Sequence, residues 1–354
     1  MSITESQALH REAIGRVDTS DLIADVTAIP EHLRDALWKA ESANLGSWDS
    51  PPGLVVAGMG GSGIGGRLAR AILADQASRP ILSAGTYGLP PWTTAETTVL
   101  CSSYSGETEE TLACFEAAGV IGARRVVATT GGRLAEQARA EGVPVIPIAG
   151  GLQPRAAVAY LTVAALEVAA ACGAGPRMGP EIDVAGDHLE QLVADWGPQS
   201  APDSEAKALA RGLAGTVPIV MGAGLTAPIA YRWKTQINEN AKQHAFSSEL
   251  PEANHNEIVG WATAQQFGRF SAVFLGDADA TPRIVQRIAL TRELLEARDV
   301  SAHVLQTRGQ TSVERVFSLL LLGDLVSIYL AVLNGQDPQD IAALDELKSR
   351  LSQV

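Results

Sequence analysis

The chain has 354 residues, 46% of them hydrophobic, and its 27 basic and 40 acidic residues give a net charge of −13. That length supplies material for about two domains with substantial cores and excludes an intrinsically disordered chain. No long basic block occurs, which excludes binding to a nucleic-acid backbone, while a local anion site built from backbone N–H groups stays compatible with the charge.

The N-terminus has no apolar core followed by a small-residue cleavage site, so it does not read as a signal peptide. Residues 20–45 place apolar side chains at helical spacing, with Pro30 as a break or restart. Short apolar runs at 54–58, 81–84, 98–101, 125–129 and 145–148 then alternate with helix-length segments. Such alternation predicts β-α-β units and a parallel sheet covered on both faces. Residues 155–196 read as helix with a break at GAGPRMGP, and the alternation restarts with strands at 217–221, 272–275 and 302–305. A long helix is expected at about 312–333. Asp324 interrupts its apolar run, which favours a buried helix over a membrane span. The last helix is expected at 338–351, capped by Asp337 with Pro338 in its first turn. The two halves share one grammar, since LVVAGMGGSGIGGRLAR and VPIVMGAGLTAPIAYRW both run from apolar strand through G-x-G to helix. Cys101, Cys114 and Cys172 form no cluster, which argues against a disulfide framework and a structural zinc site.

Six glycines and Ser62 fall within the nine residues 58–66. Gly58 to Gly63 match G-x-G-x-x-G between a strand and a helix, the dinucleotide fingerprint in its proper context. The second strand, however, ends in Ala84, Gly85 and Thr86, with no carboxylate to hold a ribose. A monophosphate is the better ligand, approached by the backbone N–H groups around Gly61 and by the Ser62 hydroxyl. A tight turn with no ligand is the competing possibility.

Residues 99–112, VLCSSYSGETEETL, repeat the theme. A strand ends near Ser102, and Ser103, Ser105 and Thr108 bring three hydroxyls to the start of a helix. A plain capping box, with Ser105 as the cap, would use the same groups. Both loops lie at C-terminal strand ends, where open parallel sheets bind ligands.

Further on, INENAKQHAFSSELPEANHNEIVGW, residues 237–261, is dense in proton-moving groups. A helix over 228–243 places Glu239 near its end, and the following SSELPEANHNE reads as a polar loop carrying His255. A helix-end carboxylate with a loop histidine suits acid–base chemistry. His244 is the alternative acid.

GMGGSG followed about 40 residues later by SYSGET resembles the sugar isomerase (SIS) domain. NENAK and E-L-P-E-A-N-H-N-E resemble one branch of that superfamily, the bifunctional phosphoglucose/phosphomannose isomerases. Pro154-Arg155 and the lysine of LDELKSRL match the same branch, so the resemblance runs from about residue 50 to the C-terminus. It implies an α/β fold of two SIS-type domains, each a parallel sheet flanked by helices. The expected division is an N-terminal helical segment at 1–48, a first domain at 49–196 and a second at 197–354. The implied substrate is glucose 6-phosphate, and mannose 6-phosphate with it, interconverted with fructose 6-phosphate through a cis-enediol. Ser62, Ser103, Ser105 and Thr108 would hold the phosphate, beside Gly61. Glu239 would carry the proton, and His255, supplied by the other subunit of a homodimer, would open the ring. Arg155 would steady the enediolate and Lys348 would assist at the ring oxygen or C1 hydroxyl. No cofactor and no metal is implied, and the expected setting is cytoplasmic carbohydrate metabolism. Glu107 departs from the SIS pattern, which often has Asn there. A carboxylate would repel phosphate, so its side chain is expected to point outward. One alternative is an isomerase of a different phosphosugar, and the other is an SIS protein that senses a phosphosugar. It would need the hydroxyls but not Glu239, His255 or Arg155.

Overall fold

The structure is a computed structural model that describes residues 9–351 and 353. The chain forms two units, one made of Ala28–Glu190 with Gly309–Phe317, the other of residues up to Thr27, Gln191–Arg308 and Ser318 onward. The segment before residue 49 therefore contributes to both: helix Ile29–Ser42 to the first unit, helices Arg11–Val17 and Leu22–Thr27 to the second.

In the first unit five strands, β1 (Leu54–Ala57), β2 (Ile81–Ala84), β3 (Thr98–Ser102), β4 (Arg124–Thr129) and β5 (Val145–Pro147), form a parallel sheet in the order β2-β1-β3-β4-β5. Every residue of β1 and β3 is buried, as expected of central strands covered on both faces. Helices Glu109–Ile121 and Gly132–Ala140 bring Leu112, Phe115, Leu134 and Ala138 onto the core of this sheet. Each large apolar side chain so buried contributes about 1.5–3 kcal/mol. Helix Gly60–Ile72 packs on the Ala-rich helix Val158–Ala171, which is buried almost all round.

In the second unit β6 (Val217–Gly222), β7 (Phe246–Glu249), β8 (Phe270–Gly276) and β9 (Ser301–Gln306) form a parallel sheet ordered β7-β6-β8-β9. Strand β7 corrects the expectation of a polar loop there. It is an edge strand whose four residues are exposed or half-buried, so it has no apolar run and is defined by its pairing with β6. Helix Ala227–Ala241 follows β6 and meets helix Ser312–Asn334 along a polar seam. Arg232 donates from Nε and Nη2 to the two Asp324 oxygens at 3.0 and 2.6 Å, with side chains only 2% and 4% exposed. The Trp233 indole donates to the Leu319 carbonyl at 2.8 Å. Helix Ser312–Asn334 is long and apolar enough to cross a membrane, with mean hydropathy 2.3, yet 94% of that stretch is buried inside the protein. The last helix is Ala342–Leu351 and begins later than expected. Asp337 does not cap it. Its carboxylate accepts from Gln339 and Thr19, while Asp340 accepts from the Ala342 N–H.

Candidate active site

The glycine motif is not a loop ahead of a helix. The helix starts inside it, at Gly60. Several of its glycines are there for packing. A Cβ on Gly65 would lie 2.6 Å from the Leu161 carbonyl carbon, and one on Gly66 would lie 2.7 Å from Val56 Cβ. Those two positions let the helix press onto Val158–Ala171 and β1. Gly61 has a different neighbour, since its Cβ would stand 3.0 Å from the Pro154 carbonyl oxygen and 3.2 Å from Arg155 Cα. The predicted Gly61 and Arg155 are thus seated against each other.

Ser62 is buried on the first turn, and its Oγ accepts from the Tyr104 N–H at 3.1 Å. That bond ties the glycine helix to the serine loop. Ser103, also buried, accepts from the Gly106 N–H at 3.1 Å and shares a 2.9 Å hydrogen bond with Thr108 Oγ1. Ser105 is exposed and accepts from the Glu107 N–H at 3.2 Å. All three serine oxygens therefore have a lone pair occupied by a backbone N–H. A hydroxyl in that state keeps its own proton as a donor. The turn between them needs glycine: Gly106 has φ +72, and a Cβ there would lie 1.9 Å from the Gly131 carbonyl oxygen. Thr108 stands before helix Glu109–Ile121 without a side-chain cap bond, so the hydroxyls do not form the capping box.

Glu107 is exposed. Its carboxylate takes the Arg133 N–H at 2.8 Å and Nε at 2.7 Å, and these contacts hold its carboxyl below the usual range. Its charge is drawn into an ion pair at the start of the next helix. Arg155 is only 4% exposed, in the turn leading into helix Val158–Ala171. One residue escaped the sequence reading. The Tyr104 hydroxyl accepts from the Leu152 N–H at 2.8 Å, and the Tyr104 carbonyl accepts from Thr130 Oγ1 at 2.8 Å. A tyrosine between two serines gives no hint in sequence that it touches a segment 48 residues away.

Glu239, His255 and Lys348 lie in the second unit. Glu239 is half-buried in the last turn of helix Ala227–Ala241. Its flanking asparagines fix that turn. Asn238 donates to the Lys234 and Ala245 carbonyls at 2.7 and 2.9 Å, and Asn240 donates to Ser327 Oγ at 2.9 Å. His255 is exposed and follows the short 3₁₀ turn Glu252–Asn254. Asn254 holds this turn to helix Pro282–Glu296, donating to Thr291 Oγ1 at 2.9 Å and accepting from Arg287 at 3.3 Å. His244 is exposed and stacks on Phe246, ring centroids 6.4 Å apart. Lys348 is exposed on helix Ala342–Leu351. Among the described residues, no three His, Cys, Asp or Glu side chains gather as a metal-binding group.

Residues 202–351 match the bacterial phospho-glucose isomerase C-terminal SIS domain. The chain is 36% identical over 338 residues to a bifunctional phosphoglucose/phosphomannose isomerase of Caldicellulosiruptor bescii, covering 94% of this chain and 99% of that protein. It is 34% identical over 300 residues to the protein of that name from Aquifex aeolicus, with coverages of 84% and 90%. A solved glucose-6-phosphate isomerase like protein from Thermus thermophilus shares the fold, with a TM-score of 0.63 at 20% identity, over 97% of this chain and 99% of that one. With matches of this length on both measures, the chain belongs to the bifunctional phosphoglucose/phosphomannose isomerase family and carries its SIS architecture.

Proposed function

We propose that the protein interconverts glucose 6-phosphate and mannose 6-phosphate with fructose 6-phosphate by moving a proton between C1 and C2. The observation that carries this is the set of serine hydroxyls, Ser62, Ser103 and Ser105, each oriented by a backbone N–H on its oxygen, with the Ser103–Thr108 pair using one of its two protons internally and keeping the other to donate. A phosphate needs donors and offers none. Thr108 joins them through Ser103, and the N–H groups near Gly61 complete the cradle.

Glu239 is the base in this scheme. It takes the proton from C2 of the open aldose and returns it to C1 of the cis-enediolate. Arg155 offsets the negative charge that develops on the enediolate oxygens, with a fixed cation whose guanidinium never loses its proton. His255, supplied by a second copy of the chain, opens the ring by moving a proton between the ring oxygen and the C1 hydroxyl, and Lys348 assists there. Family membership supports these roles, and a metabolic enzyme of this kind fits a cytoplasmic setting. A phosphosugar sensor would have no use for Glu239.

The test is a pair of coupled assays on purified protein, one following fructose 6-phosphate to glucose 6-phosphate, the other mannose 6-phosphate to fructose 6-phosphate. Turnover of both is expected. Binding of glucose 6-phosphate without any turnover would overturn the proposal in favour of a sensor.

A further inference from the structure

Arg155 is carried by a turn that the chain reaches through a glycine stretch. Between β5 and helix Val158–Ala171 the chain runs through Gly150 and Gly151, and a Cβ added at either would meet nothing within 4 Å. Gly151 also sits at φ +89. Such a stretch has no side chain to pack, so backbone hydrogen bonds set its path. Ile148 N–H donates to the Thr129 carbonyl at 3.0 Å on the strand side. Leu152 N–H donates to the Tyr104 hydroxyl at 2.8 Å, three residues before Arg155. Beyond that, the Ala156 N–H donates to the Gln153 carbonyl at 2.8 Å across the turn, and the Pro154–Arg155 backbone rests on Gly61.

Tyr104 is itself held at both ends of its main chain. Its N–H donates to Ser62 Oγ at 3.1 Å, and its carbonyl accepts from Thr130 Oγ1 at 2.8 Å. The same residue thus fastens the phosphate loop by its backbone and the Arg155 loop by its side chain. Resting on the isomerase reading above, we propose that the Tyr104 hydroxyl is a positioning group that sets Arg155 against the phosphate cradle. It holds the guanidinium where the enediolate charge appears, without touching substrate. Removing the hydroxyl frees the Leu152 N–H and lets the Gly150–Gly151 loop drift, while the backbone bonds to Ser62 and Thr130 remain. A charge-stabilising group displaced by about 1 Å costs up to roughly 100-fold in rate. A cation that acts on developing charge affects kcat rather than ground-state binding.

The experiment compares wild type, Tyr104→Phe, Arg155→Lys and the double variant. For Tyr104→Phe, kcat should fall about 10-fold, with KM unchanged within about two-fold. Two inhibitors separate the parts of the site: a phosphosugar hydroxamate, which mimics the anionic enediolate, and sorbitol 6-phosphate, which keeps the phosphate and the open chain but carries no enediolate charge. Tyr104→Phe should weaken the first about 10-fold and leave the second within about two-fold. On the Arg155→Lys background, adding Tyr104→Phe should cost less than about two-fold, because the two residues act as one unit. Unchanged kcat in Tyr104→Phe would overturn the proposal. So would parallel weakening of sorbitol 6-phosphate, or a full further loss on the Arg155→Lys background. A wild type without turnover would count against the isomerase reading. The two inhibitor affinities would still decide whether the hydroxyl serves Arg155.

Discussion

The two units repeat one topology and diverge in the loops it carries. Each sheet places its first strand between the second and third, β2-β1-β3-β4 in one and β7-β6-β8-β9 in the other. Each places a hydroxyl in the turn after the first strand and ties it toward the third. Ser62 Oγ accepts from Tyr104 N–H just past β3, and Thr226 Oγ1 donates to the Leu275 carbonyl in β8 at 2.7 Å. The loops after those third strands differ. After β3 the loop offers hydroxyl donors, whereas after β8 it offers Asp277 and Asp279. There the Thr307 hydroxyl already donates to Asp277 at 2.8 Å. A carboxylate at that position repels a phosphate. The framework thus decides where a loop ends, and the residue types in the loop decide what it holds. The helix seams differ too. The first unit closes its seam with glycine at Gly65, the second with a buried Arg232–Asp324 pair.

The largest expected effect tests the proposed base. Glu239→Gln should lower kcat by about 10³–10⁴-fold and leave phosphosugar affinity within a factor of about three, measured by calorimetry. Lost affinity would mean that Glu239 helps to hold the substrate and is not the base alone. Mixing this variant with His255→Ala should restore about a quarter of wild-type activity if each site draws on two copies of the chain, and no restoration would refute the shared site. Next is the seam. Asp324→Ala removes the carboxylate that takes two bonds from the buried Arg232 guanidinium and should cost about 3–4 kcal/mol in denaturant unfolding. A loss below about 1 kcal/mol would show that the pair contributes no more than a surface ion pair. The smallest effect sharpens the contrast between loops. Ser103→Ala combined with Thr108→Val should weaken phosphosugar binding by about 2 kcal/mol, close to 30-fold, while Asp277→Asn should leave it within about two-fold. Equal effects from both would erase the distinction drawn between the two loops.

Much of the framework was legible in the sequence because central parallel strands are buried on both faces and read as continuous apolar runs, as at Leu54–Ala57. Strand β7 was not legible. Phe246–Glu249 lies on a sheet edge with polar, partly exposed residues, and its pairing with β6 is information held by another segment. The glycines misled for a related reason. Gly65 and Gly66 swell a glycine run that suggests a ligand loop, but their neighbours, Leu161 and Val56, appear only when the chain is folded. Residue types exposed the hydroxyl cluster, yet not which hydroxyl would meet which N–H, since Ser62 and Tyr104 are 42 residues apart. Glu107 was legible in part. Repulsion from phosphate turned it outward in expectation, but its partner, Arg133, lies on the next helix.

The occupied lone pairs of Ser62, Ser103 and Ser105 have a consequence for timing. Their orientations are set by backbone N–H groups of the loop itself, so the side chains become ordered when the chain folds. For a phosphate held there, the entropy of fixing those torsions is lost once, in folding, and not at every encounter. Arrival and departure of the ligand then leave the floor of the site standing. On the proposed reaction, what has to move in each cycle is the sugar, turning over a surface that was finished before it came.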